Sequence, residues 1–294
     1  MNALAERSRP RPLSTEGFER FKVRPLSGTI GAEISGVDLD RLSTPEIDDI
    51  RTAFARFLVL VFRNQGDLTP ENHIAFARLF GEIQPIAHLD HIEGHSEIQP
   101  IHRHANDSKR ITGELFHNDS TYMPTPPTAI AMRAIELPPA GGDTAFANLQ
   151  LAYNMLSPAM QSFLESLRVV HSGKRLFGTG ADQSNVHMKA MNPVEGDREL
   201  THPLIVTHPV SGRKSPFVNP AYSIRIDGLE ATESDAILSF LYNHCTQLAL
   251  TARVRWEAGT LVLWDNWAAY HSAIGDYEGY ARTLHRVTVG GPRP

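Results

Sequence analysis

The residues Phe116-His117-Asn118-Asp119-Ser120-Thr121 carry an H-x-D pair. In extended backbone, side chains two apart leave the same face, so the His117 imidazole and the Asp119 carboxylate can address one point. Two ligands hold a divalent ion poorly, and a third is available at His271, in the C-terminal run WDNWAAYHSAIGDY. Two histidines and one carboxylate on one face of an ion leave its other positions open, the arrangement non-haem Fe(II) uses for substrate and oxygen. The same ligands serve Zn²⁺ in hydrolases that activate water. Taken alone the match carries little. The chain has fourteen histidines, and His88-Leu89-Asp90 is a second H-x-D. Either pair, by itself, is more often a surface histidine beside an acid.

Iron in such a site takes its electrons from a co-substrate. 2-Oxoglutarate is a dianion, and its far carboxylate calls for a cation. Arginine suits this because its planar fork offers two N–H donors to one carboxylate. Arg282 follows His271 by eleven residues, in the β-like run RTLHRVTV, and Arg286 follows by four more. On a strand Arg282, Leu284 and Arg286 share a face, with the two arginine stems ~13 Å apart. His285 points the other way and is excluded as a ligand. Two separated cations facing inward suit two anions, a co-substrate and a substrate; facing outward they are merely solvated. Thr144, closing Gly141-Gly142-Asp143-Thr144, adds a hydroxyl for a carboxylate, while the glycines alone signal a turn.

The elements that must position these groups read as follows. Residues 1–20 form a mobile polar arm and 21–294 a single domain. Ser43 and Glu46 have capping-box spacing with Pro45 between them, which starts a helix through IDDIRTAFARF. LVLVF (58–62) is a buried strand, and Thr69-Pro70-Glu71 opens a second helix. Residues 82–116 and 172–200 read as loops, the kind that often cover a site. AIAMRAIEL is a strand, SPAMQSFLESL a helix, and LIVTHPVSGRKSPFV a hairpin turning at Ser211-Gly212. A last helix runs from Thr232-Glu233 to about His244, before a strand-rich C-terminus. Many short strands with helices outside them predict a mainly β fold with flanking helices, a sandwich or jelly roll.

Composition narrows the classes. Against 33 Asp+Glu the 294 residues hold 28 Lys+Arg, a net charge of −5, so no basic field invites a nucleic-acid partner. Cys245 is the one cysteine and cannot form an internal disulfide. No apolar run approaches the ~18 residues of a membrane helix, and the start MNALAERSRPRPLSTEG lacks a signal peptide's apolar stretch. The expectation is a soluble, cytoplasmic protein with no membrane partner.

His117-x-Asp119, a GGDT ending 27 residues later, WDN with His271 seven residues after Trp264, then Arg282 and Arg286 form an ordered set. It resembles the taurine dioxygenase family of Fe(II)- and 2-oxoglutarate-dependent oxygenases, over about residues 21–292. GAEISGVDL, the RNQ after LVLVF, and HRVTVGG add to it. Within the family, MRAIELP, RVRWEAGTLVLWDN and THPLIVTHPVSGRK are most similar to the (R)-phenoxypropionate (aryloxyalkanoate) dioxygenases.

The resemblance implies a double-stranded β-helix (jelly-roll) core, with Fe(II) on His117, Asp119 and His271 and O₂ as oxidant. It implies that Thr144 and Arg282 hold the far carboxylate of 2-oxoglutarate and that Trp264 packs on its carbon chain. Arg286, the Ser120 N–H and His88 would contact the substrate anion, with Phe177 and Phe217 as pocket aromatics; Tyr122, Met123 and Arg175 are lesser candidates. His88-Leu89-Asp90 then drops out as a metal site. Phe116 and Asn118 depart from the Trp and Thr usual at those places, which bears on pocket shape and leaves the ligands intact. A C–H bond of a small anionic substrate is hydroxylated, next to an ether oxygen in an aryloxyalkanoate. An alkyl sulfate, a sulfonate or a natural-product intermediate are the alternatives, and a zinc hydrolase is the reading from another class. The resemblance also implies a homo-oligomer, a dimer or tetramer.

Overall fold

The computed structural model describes residues 12–86, 89–107, 111, 113–181 and 193–294. In chain order the strands are β1 (Lys22–Pro25), β2 (Ala32–Ser35), β3 (Val59–Phe62), β4 (Ile98–Arg103), β5 (Ala129–Glu136), β6 (Thr144–Asn148), β7 (Arg168–Ser172) and β8 (Glu199–Pro203). They continue as β9 (Ile205–Thr207), β10 (Lys214–Pro216), β11 (Ser223–Ile226), β12 (Thr251–Val254), β13 (Leu261–Asp265), β14 (Ala269–Ala273) and β15 (Arg282–Val289). The longer helices are α1 (Thr44–Phe57), α2 (Pro70–Arg78), α3 (Leu149–Met155), α4 (Pro158–Glu165) and α5 (Ala231–Cys245).

Among the described residues a seven-stranded sheet has the order β1-β2-β3-β13-β5-β15-β4, and a three-stranded sheet the order β12-β6-β14. Smaller pairings, β11-β7-β8 and β10-β9, lie beyond them. Within the large sheet β2 and β3 run parallel while the other neighbours are antiparallel. The reason is connectivity: α1 is the crossover that a parallel pair requires.

Strand parity divides the core. Leu60 and Phe62 of β3 pack with Phe57 of α1 and with Ile74 and Phe76 of α2 on one face of the large sheet. Val59 and Val61 pack on the other face with Phe146 of β6, Ala252 and Val254 of β12 and Trp264 of β13. Helices thus cover one side and the second sheet covers the other, the two-layer arrangement of a jelly roll. A strand covered on both faces reads as an unbroken apolar run, which is why VLVF has no alternation.

The expected α1 has its capping box, with the Ser43 N–H donating to Glu46 Oε2 at 2.8 Å. Several elements differ from the sequence reading. β4 lies inside the stretch read as loop, and its Pro100 is tolerated because β4 is an edge strand. α3 was not expected; Asn148 caps it by accepting the Leu151 N–H at 2.9 Å. α5 begins at Ala231 because Glu230, with Glu233, forms the capping box in place of Thr232. The loop read at 172–200 holds one helical turn at Lys174–Phe177 and another at Pro193–Gly196. The N-terminal segment is only partly an arm. Leu13 and Phe18 pack against the core, and Arg56 donates to the Ser14 and Glu16 carbonyls. Residues 1–11 lie outside the described residues.

Candidate active site

The site is built where the chain after Gly113 joins the free edge of β14. His117 and His271 exchange both backbone hydrogen bonds, each N–H to the other's carbonyl at 2.9 Å. Directly opposed residues project to the same face, and the two imidazole centroids are 4.2 Å apart. Ala273 N–H reaches the Gly113 carbonyl at 2.8 Å, and Ser272 Oγ donates to Glu114 O at 2.7 Å. Gly113 has φ +89°, and a Cβ there would stand 3.3 Å from His117 Cε1. Glycine both takes the turn and lets the imidazole sit close.

Asp119 is fixed by Asn266 of the WDN run. Asn266 Oδ1 accepts the Asp119 N–H at 2.7 Å, and its Nδ2 donates to the carbonyls of Asp119 at 3.1 Å and Pro127 at 3.0 Å. Asn118 points away from the two ligands beside it and donates to Asn266 O at 2.6 Å and Ala269 O at 3.2 Å. The H-x-D segment and the turn leading into β14 therefore lock together through two buried amides. Asp265 holds the same turn by accepting from the N–H groups of Trp267 and Ala268, both at 2.9 Å.

His117 Nε2 lies 3.4 Å, and His271 Nε2 3.7 Å, from Asp119 Oδ1. One ligand atom from each of the three residues falls within 4.8 Å of the others, and all three residues are buried. His117 Nδ1 meets the Leu115 carbonyl at 2.7 Å, so Nδ1 carries the hydrogen and Nε2 presents its lone pair. Burial, reinforced by neighbouring His117, pulls the pKa of His271 down to about 4. Burial alone would raise the Asp119 carboxyl, but the Arg286 guanidinium, and then His271 and His117, hold it well below the ordinary range. Burial disfavours the charged form of His271, which leaves its imidazole available as a ligand beside the carboxylate. The donor set fits a divalent cation, and its chemistry is that of the two-histidine, one-carboxylate iron sites.

A cavity of about 410 Å³ opens on these ligands and is also lined by Ser120, Thr144, Trp264, Phe177, Arg282 and Arg286. Parity on β15 holds as expected: Arg282, Leu284 and Arg286 line the cavity, while His285 lies on the other face. Arg282 is buried beside Tyr277, its side-chain hydrogen-bond partner, and its Nε has no partner among the described residues. Thr144 Oγ1 accepts from Trp256 Nε1 at 3.0 Å. Arg286 donates through Nη1 to Asp119 Oδ2 at 3.1 Å and through Nη2 to Gln99 Oε1 at 3.3 Å, and its Nε has no partner among the described residues. Trp264 is buried between Phe146 and His271, at centroid distances of 5.7 and 4.9 Å. Ser120 has φ +54°, a left-handed turn that follows His117 and Asp119.

Among the lesser candidates, Tyr122 and Arg175 line the cavity and Met123 does not. Phe217 is a correction. It is fully buried away from the cavity, against Trp267 at 5.6 Å, His171 at 5.8 Å and His202 at 5.6 Å. Fully buried among these rings, it does not line the cavity. His88 lies outside the described residues, although its neighbour Leu89 lines the cavity. The sequence reading missed Tyr222, Tyr277 and Gln99. Tyr277 closes the same C-terminal run as His271 and could have been found there; Gln99 is legible only as the cross-strand partner of Arg286.

Residues 22–288 match the model of the family described as taurine catabolism dioxygenase TauD, TfdA family. An alpha-ketoglutarate-dependent sulfonate dioxygenase of Saccharomyces cerevisiae is 33% identical over 95% of this chain and 69% of its own. An alpha-ketoglutarate-dependent 2,4-dichlorophenoxyacetate dioxygenase of Cupriavidus pinatubonensis is 32% identical over 90% of this chain and 96% of its own. The crystal structure of a taurine dioxygenase from Burkholderia xenovorans superposes with a TM-score of 0.78 at 36% identity, covering 93% of this chain and 92% of that one.

Proposed function

The chain belongs to the taurine catabolism dioxygenase TauD, TfdA family, and from that premise we propose that it hydroxylates a C–H bond of a small anionic organic substrate. In this reading His117, Asp119 and His271 hold Fe(II). With 2-oxoglutarate and O₂, the bound iron supplies the oxidation that replaces C–H by C–OH and releases succinate and CO₂.

The protein's own part is binding, orientation and exclusion of water. Arg282 and the Thr144 hydroxyl take the far carboxylate of the co-substrate, and Trp264 packs beside its chain. Arg286 and the Ser120 N–H take the substrate anion. A histidine at position 88 is kept as a further contact. Phe177, with Leu89, Ile101, Leu115 and Tyr222 of the cavity wall, takes the apolar body and keeps water out. Arg286 also touches Asp119, so anchoring the anion is next door to the metal. A substrate held by its carboxylate there would lie with its α carbon beside His117, Asp119 and His271, the residues that would hold the iron. If that carbon bears an aryl ether, the hydroxylated product collapses to a phenol and a carbonyl compound.

The observation that carries the reading is convergence: three metal-capable side chains and two buried guanidiniums share one cavity. A zinc hydrolase has no use for buried Arg282. An aryloxyalkanoate is the first choice of substrate. Alkyl sulfates and sulfonates come second, favoured by the sulfonate dioxygenase relative, whose identity equals that of the aryloxyacetate one to within a percent or so. A natural-product intermediate is third. The test is succinate release by Fe(II)-loaded protein with 2-oxoglutarate and a panel of such anions. A substrate from the panel raises succinate well above the uncoupled rate; a flat response across it overturns the substrate class.

No helix among the described residues is long and apolar enough to cross a membrane. A cytoplasmic location and a dimeric or tetrameric assembly complete the proposal.

A further inference from the structure

Arg282 is packed against two aromatic rings. Its guanidinium carbon lies 5.9 Å from the Trp256 centroid and 5.8 Å from that of Tyr277. Both rings are buried. The rings attract the guanidinium, and the Tyr277 hydroxyl is also its side-chain hydrogen-bond partner, so Tyr277 holds one part of the N–H edge and the rest is left for a ligand. One donor of that edge is vacant: Arg282 Nε is buried and has no hydrogen-bond partner among the described residues.

Trp256 makes a second contact that bears on the same ligand. Its Nε1–H donates to Thr144 Oγ1 at 3.0 Å. A hydroxyl that accepts on one side keeps its own hydrogen to donate elsewhere, and Thr144 lines the cavity. Tyr277 is held from behind. Its neighbour Asp276 accepts the Gly142 N–H at 2.8 Å through Oδ1 and meets Arg253 Nη2 at 3.1 Å through Oδ2. Gly142 has φ +70°, and a Cβ there would stand 3.0 Å from Arg282 Cδ and 3.3 Å from Tyr277 Cδ1. The GGDT turn, Tyr277 and Arg282 are therefore in direct contact.

We propose that Trp256 and Tyr277 are positioning residues for the co-substrate's far carboxylate. The rings fix the plane of the Arg282 guanidinium so that its N–H edge faces the cavity, and Trp256 turns the Thr144 hydroxyl hydrogen toward the same oxygen atoms. This rests on Arg282 and Thr144 being the carboxylate site. A fixed edge sets chain length as well as affinity, so 2-oxoglutarate is bound in preference to the homologue one carbon longer, 2-oxoadipate.

The test is calorimetric titration of each keto acid into Zn²⁺-loaded protein, which binds without turnover. Expected for Trp256→Phe is a roughly tenfold loss of 2-oxoglutarate affinity, a narrowed preference over 2-oxoadipate, and unchanged Zn²⁺ affinity. Tyr277→Leu is expected to act in the same direction. Arg282→Met serves as reference and loses both keto acids. Unchanged 2-oxoglutarate affinity and selectivity in Trp256→Phe and Tyr277→Leu, with Arg282→Met defective, overturns the positioning role and leaves the carboxylate site standing. Full affinity in Arg282→Met overturns the site itself. Should Trp256→Phe fail to fold, Tyr277→Leu decides by the same readouts.

Discussion

Arg282→Met is expected to move binding and stability in opposite directions. Arg282 is 5% exposed, and burial lowers its pKa from the ordinary 12.5, so the charge is held at a cost in the free protein. No carboxylate forms an ion pair with it among the described residues. Methionine of similar length fills the space without the charge. Replacing buried charged groups by apolar volume is often neutral or stabilises by about 1–4 kcal/mol, and loss of the Trp256 and Tyr277 contacts holds the gain here to the low end of that range. Breaking the pair that Arg282 makes with a bound carboxylate costs about 3–5 kcal/mol, which is roughly 10²- to 10⁴-fold in affinity at 1.4 kcal/mol per decade. Arg282→Lys keeps the charge but not the fork and falls between the two. Thermal unfolding of the metal-free protein and titration of 2-oxoglutarate into the Zn²⁺ form measure the two effects. A variant that melts earlier and binds 2-oxoglutarate normally refutes the reasoning, because Arg282 is then a structural cation.

Other consequences are open to measurement. Burial holds His73 and His171 neutral, each pulled from 6.5 to about 3. The unfolded chain then binds more protons below pH 6.5, so stability is full above that value and is lost as the pH falls toward 3. Urea denaturation of the metal-free protein across that window should show a slope to which His73, His171 and His271, itself pulled to about 4, each add up to one proton, and His73→Gln should flatten it by about one. Asn266→Ala strands the Asp119 N–H, and metal affinity should fall about 10- to 100-fold, as for lost supports of other metal ligands; competition with a chelator reads this. Phe177→Ala should raise the substrate KM with little change in 2-oxoglutarate affinity. Phe217→Ala should instead cost about 3–5 kcal/mol of stability and leave the KM of the folded fraction unchanged.

Much of the site was legible because parity rules act over two to four residues. His117 and Asp119 could be paired across Asn118, and Arg282 with Arg286 across His285, without knowing the rest of the fold. His271 could be proposed as a ligand but not placed, since its approach to His117 depends on two backbone hydrogen bonds between distant segments. Phe217 shows the limit. It follows β10 directly, and nothing local says whether its ring turns to the cavity or to Trp267. β4 was hidden by Pro100 and by the histidines around it; its strand character comes from pairing with β15. Gln99 and Tyr222 act through space and leave no pattern in the chain. Substrate identity is set by the cavity wall, where apolar side chains from several segments meet, so relatives of nearly equal identity carry names for different anions.

The decisive measurement is the visible absorption of anaerobic protein titrated with Fe(II) and 2-oxoglutarate. A charge-transfer band should grow only when both are present, reach one equivalent of iron, and vanish in His117→Ala and His271→Ala. Absence of the band in the wild-type protein, or its persistence in both variants, contradicts an iron and a keto acid sharing this cavity.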